Sequence, residues 1–103
     1  MSLIGWSEED GRVCLGLPGD LDLPMAQPLA DSLRAAFARD GAVVVRAGAV
    51  ERLSTACVQA LMVASRHAGE QGRVFVVEHP SEVMAETCGD LGLADWLKQW
   101  SVA

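Results

Sequence analysis

Residues 42–64 run AVVVRAGAVERLSTACVQALMVA, and this stretch decides the fold class. Ala42-Val43-Val44-Val45 is a short β-branched run without alternation, the pattern of a strand covered on both faces. From about Thr55 to His67 the pattern becomes helical, with Gly69 as its expected stop. Ala56-Cys57-Val58 and Ala60-Leu61-Met62-Val63-Ala64 are apolar on nearly every side, so this helix is expected to be deeply packed. A buried strand feeding a buried helix is the repeating unit of an α/β layer.

The same unit recurs on both sides. Upstream, Arg12–Leu17 reads as a strand ended by the turn signal Pro18-Gly19-Asp20. A strand near Leu3–Trp6 pairs with it as a hairpin through a Ser7–Gly11 turn. Met25, Leu29, Leu33 and Phe37 recur every four residues, which predicts a helix with Pro28 in its first turn and Gly41 as its stop. Downstream, Arg73–Val77 reads as another buried strand. Ser81 is the expected N-cap of a third helix with Val83, Met84, Thr87 and Cys88 inward and Gly89 at its end. Leu93, Trp96, Leu97 and Trp100 fall at i, i+3, i+4, i+7 and predict a fourth helix. The expected architecture is a single α/β domain over residues 1–103, a small mixed sheet with helices packed against it.

Composition narrows the function. Half of the 103 residues are hydrophobic, which excludes a disordered chain. A net charge of −6 with one lysine lacks the basic face that nucleic acid or an anionic membrane surface requires. No apolar run approaches the ~20 residues of a membrane helix. Cys14, Cys57 and Cys88 are widely spaced and never form C-x-x-C, so they read as reduced thiols of a cytoplasmic protein. With His67 and His79 they show no metal-ligand spacing, and no cofactor motif is present. Cys57 stands near a helix start but inside the apolar face, with no histidine at a partnering distance in sequence. It reads as a core thiol. Nothing in the chain suggests an enzyme.

Four segments, taken in order, resemble a STAS domain, the fold of anti-sigma factor antagonists and of the cytoplasmic ends of sulfate transporters. They are Leu17-Pro18-Gly19-Asp20-Leu21-Asp22, Val43-Val44-Val45 through Val50, Leu53 to Leu61, and His79-Pro80-Ser81 with Leu91-Gly92-Leu93. The resemblance implies a regulatory interaction module. Its phospho-acceptor would be Thr55, with Ser54 as the less favoured choice, at the start of the second helix. A partner surface would comprise Asp20, Leu21, Arg52, Ser54, Thr55, Ala56 and Gln59. The implied partner is an ATP-binding anti-sigma factor with serine kinase activity, or another ATPase. The alternative is a constitutive adaptor in an ABC-type lipid transporter or a chemotaxis or signalling assembly.

Two positions depart from the switched members of that family. Ser54 stands where they usually carry Asp before the acceptor, and Arg46 where they usually carry Asp at the end of the central strand. Arg46 and Arg52 make the neighbourhood basic and are candidates to pair with a phosphate on Thr55 or with an acidic partner. The plainer reading of Ser54 or Thr55 is a helix cap. Trp96 and Trp100 read as core or core rim, where an exposed remnant would suit docking.

Overall fold

A computed structural model describes residues 4–102. Strands β1 (Gly5–Glu9) and β2 (Arg12–Gly16) form an antiparallel hairpin, and β4 (Ala42–Arg46), β6 (Phe75–Glu78) and β7 (Ser101–Val102) follow in parallel. Their order is β1-β2-β4-β6-β7. Helices α1 (Ala26–Phe37), α2 (Thr55–Gln71), α3 (Glu82–Asp90) and α4 (Ala94–Trp100) fill the connections. A second ladder of two residues per strand pairs β3 (Asp20–Leu21) with β5 (Arg52–Leu53). The α/β expectation holds; β3, β5 and β7 are too short to leave a pattern in the sequence. Leu3, the expected start of the first strand, lies outside the described residues.

The order of the sheet fixes where the helices go. Each crossover steps to the next strand in the same direction, and such connections are right-handed. All four helices therefore lie on one face. Alternation agrees: Val13, Leu15, Val43, Val45, Phe75 and Val77 join the cluster that includes Leu29, Leu33, Leu61, Ala64, Met84 and Leu97. Cys14 and Val44 are buried but outside that cluster, on the opposite face. The central strand is thus buried on both faces, as its valine run predicts, although the helices cover one face alone. Arg46 shares the second face with Cys14 and Val44 and bonds Glu78 on β6 at 3.3 Å and Glu9 on β1 at 3.4 Å. Its side chain thus straps the helix-free face across β2.

Three helix ends differ from expectation, two of them for the same reason. Gly69 and Gly89 continue their helices, and the left-handed residues are Gly72 (φ 64°) and Gly92 (φ 76°), three positions later. In both places the next N–H reaches back to close the helix, Arg73 to the Ala68 carbonyl at 2.8 Å and Leu93 to Cys88 at 2.7 Å. Helix α1 stops at Phe37, and Gly41 instead stands just before β4. There a Cβ would stand 2.0 Å from the Gly11 carbonyl oxygen in the β1–β2 turn. The end of α1 is held by Arg73, which donates to the carbonyls of Phe37 (2.7 Å), Arg39 (2.6 Å) and Gly41 (2.6 Å). A cation near a helix C-terminus also meets the negative end of its dipole.

Candidate functional site

The loops leaving β2 and β4 are stitched together beyond the carboxyl ends of the parallel strands, where open α/β sheets usually place their sites. The N–H groups of Glu51 and Arg52 both donate to the Gly19 carbonyl, at 2.7 and 2.9 Å, and Ser54 N–H donates to Leu21 at 2.8 Å. These bonds set Asp20 beside Arg52 and deliver the chain to the first turn of α2.

At that turn two adjacent hydroxyls take different parts. Ser54 is the N-cap, extended at φ −79° and ψ 155°, and its side chain accepts from the Cys57 N–H at 3.3 Å. Thr55 is the first helical residue, exposed, with no side-chain hydrogen bond among the described residues. The sequence left open which of the two caps the helix; it is Ser54. The hydroxyl of Thr55 therefore stands in solvent at a helix start, where unpaired N–H groups and the dipole favour negative charge.

The other expected residues divide. Asp20, Arg52 and Gln59 are exposed and Ala56 is half-buried, so with Thr55 they share one surface around the start of α2. Arg52 makes no ion pair among the described residues. Leu21 is fully buried in the core and holds the loop from inside, which corrects its expected place on the partner surface. Arg46 is also corrected. Its side chain lies on the helix-free face, engaged by Glu9 and Glu78, so it is not placed to meet a phosphate on Thr55.

Cys57 is buried, and its thiol donates to the Asp22 carbonyl at 3.5 Å. Desolvation pushes this thiol above the ordinary range, against the Ser54 contact, which acts the other way; burial does the same to Cys88. Both belong to the core. His67 is exposed, its ring edge-on to Phe37 at 5.0 Å between centroids. His79 is exposed at the end of β6 with a left-handed φ of 51°. Among the described residues no group of three His, Cys, Asp or Glu is placed to hold a metal ion, and no helix is long and apolar enough to cross a membrane.

Helix α2 is less enclosed than its composition suggests. Val63 is 55% exposed and stands on a ridge between two open grooves. One, of about 730 Å³, lies against α1 and is walled by Ala26, Ala30, Ala56, Ala60 and Phe37. The other, of about 550 Å³, lies toward α4 and is lined by Met62, Arg66, Trp96 and Trp100. Trp96 is anchored there by donating to Ser65 Oγ at 2.9 Å. The sequence signal for the first groove was the repeated small residue on facing helices, read instead as deep packing.

The family model described as "Mlab, STAS domain" matches residues 4–99. The chain belongs to the STAS family. No curated protein sequence matches it. Among solved structures, the STAS fold here is similar to the anti-sigma factor antagonist SpoIIAA in its unphosphorylated form. That match has 14% identity and a TM-score of 0.77 over 96% of this chain and 85% of that one. A serine-to-glutamate variant of Moorella thermoacetica RsbS matches at 21% identity and TM-score 0.78, over 99% and 86%. A sulfate transporter family protein from Wolinella succinogenes matches at 14% and 0.73, over 90% and 77%. At these identities the likeness is one of fold. STAS domains are in general regulatory modules without enzymatic activity.

Proposed function

We propose that this STAS domain is a non-enzymatic interaction module of the anti-sigma factor antagonist kind, working in the cytoplasm. It docks on an ATP-binding anti-sigma factor with serine kinase activity through Asp20, Arg52, Ser54, Thr55, Ala56 and Gln59, and it uses Thr55 as the point of control. The observation that carries this reading is the division of labour at the start of α2. Ser54 satisfies the helix end, so the Thr55 hydroxyl is exposed and its loss or modification leaves the fold intact. A phosphate there would add close to two negative charges in the centre of the docking surface, and a partner seated over it would meet repulsion and a desolvation cost. Binding stops while the domain stays folded.

Thr55→Glu tests it by placing one negative charge at the same position. The expected result is loss of partner affinity with unchanged thermal stability. Unchanged affinity would overturn the switch.

One observation favours a second reading, in which the domain binds its partner constitutively, as an adaptor of an ABC-type lipid transporter or of a chemotaxis or signalling assembly. The matching family model bears the Mlab description, and the two acidic positions usual in switched members are gone: Ser54 precedes Thr55, and Arg46, turned to the other face, ends the central strand. Under this reading the docking surface is the same, and Thr55 carries no phosphate in the cell.

A further inference from the structure

The surface on either side of α2 has a charge opposite to that of the rest of the molecule. The chain carries 14 carboxylates and a net charge of −6, yet no Asp or Glu lies between Thr55 and Gly69. Neither groove beside α2 has a carboxylate in its lining, whereas Arg34 and His67 border the first and Arg66 the second. Arg66 makes no ion pair among the described residues. Among the described residues Arg34 pairs only with Asp31 of its own helix, both widely exposed, an arrangement that water weakens. An apolar groove without a carboxylate in its lining, on an acidic protein, is complementary to an apolar occupant that brings its own carboxylates.

The shape selects among such occupants. Small-molecule sites are concave and enclose most of their ligand; this groove is open along its length. From Ala56 to His67 it follows about 16 Å of helix at 1.5 Å per residue. That is three turns, the span over which an amphipathic helix presents anchors at i, i+3 or i+4, and i+7. Ala30 on α1 and Ala56 and Ala60 on α2 keep the walls low, so a third helix approaches closely.

We propose that the α1–α2 groove receives an amphipathic helix of the partner protein, its apolar face against Ala30, Ala60 and Val63 and its carboxylates toward Arg34 and His67. This rests on the reading of α2 as the partner-docking element and names what the partner brings to it. The helix lies alongside α2 while the Thr55 end meets the remainder of the partner, so charge placed on Thr55 acts on a complex anchored elsewhere.

The test is photo-crosslinking in the source cells, with a diazirine amino acid at Ala30 inside the groove, at the exposed Ala38 at its end, and separately at Thr55. The expected adduct at Ala30 or Ala38 is a peptide of a partner protein with apolar residues at helical spacing flanked by Asp or Glu. Affinity for that peptide, synthesised, should fall about fivefold in Arg34→Glu, and further with added salt. An adduct at Thr55 with none at Ala30 or Ala38 overturns the groove and leaves the docking surface standing. Adducts with lipid, with a second copy of this chain, or with a peptide lacking acidic residues also overturn it. Absence of adducts at all three positions overturns the docking reading as well.

Discussion

Ser54 accepts the Cys57 N–H at 3.3 Å and thereby closes α2, while its neighbour Thr55 faces solvent with no side-chain partner among the described residues. One hydroxyl is structural and the next is free. Replacing Ser54 by Ala should cost about 1 kcal/mol of stability, the usual loss for an N-cap. Thr55→Ala should stay within about 0.5 kcal/mol of wild type, as exposed positions do. Urea denaturation of the two variants separates them. A larger loss at Thr55 would move the cap to that residue.

A charge-removing change at Arg46 addresses the helix-free face. Arg46→Met breaks the contacts to Glu9 and Glu78, and the outcome expected is a small loss of stability that shrinks as salt is added, because the guanidinium is exposed. Partner affinity should not change. A binding defect in this variant would place Arg46 back in the docking surface.

Removal of the Arg73 guanidinium, as Arg73→Met, takes three carbonyls' shared donor from the end of α1. Hydrogen bonds to charged groups are worth about 1.5–3 kcal/mol, and partial exposure puts the expected loss near 2 kcal/mol. Gly41→Ala should be more severe, about 3 kcal/mol or more. Its φ of 102° is hostile to a side chain, and its Cβ would collide with the Gly11 carbonyl. If Gly41→Ala denatures at the wild-type midpoint, the close approach of these two turns is wrong.

The thiols give a pH dependence with a definite sign. Burial raises Cys57 and Cys88, so in the folded state both keep their protons to a higher pH than in the unfolded chain. Above the ordinary thiol value of about 8.5 the unfolded state holds fewer protons, and stability falls as pH rises. Below that value these groups contribute no slope. Alkylation by iodoacetamide at pH 8 should be slow for the native protein and fast in denaturant. Rapid native alkylation at Cys57 would contradict its burial.

How far the fold was legible follows from what leaves a pattern. The Leu29–Leu33 spacing marked its helix because burial on one side imposes a period, and the unbroken Val43–Val45 run marked a strand because its residues are buried on both sides. Gly69 and Gly89 misled because a glycine announces permission to turn left-handed, and the turn was taken at Gly72 and Gly92, where the chain could close back on the helix. The placement of all four helices on one face is a property of strand order, invisible in the run of valines itself. At the site, Thr55, Arg52 and Asp20 were legible as neighbours of a helix start. Leu21 and Arg46 were misplaced because side-chain direction depends on pairing register: one points into the core and the other to the far face. The grooves beside α2 were hidden by their own alanines, which suit close packing and open walls equally.

The most direct test of the account is quantitative recovery of the partner from source cells by wild type and Thr55→Glu, with bound proteins identified by mass spectrometry. The account predicts that an ATP-binding, histidine-kinase-like anti-sigma factor is recovered with wild type and lost with Thr55→Glu. Equal recovery of one ATPase by both proteins would contradict switching at Thr55 and make the domain a constitutive adaptor.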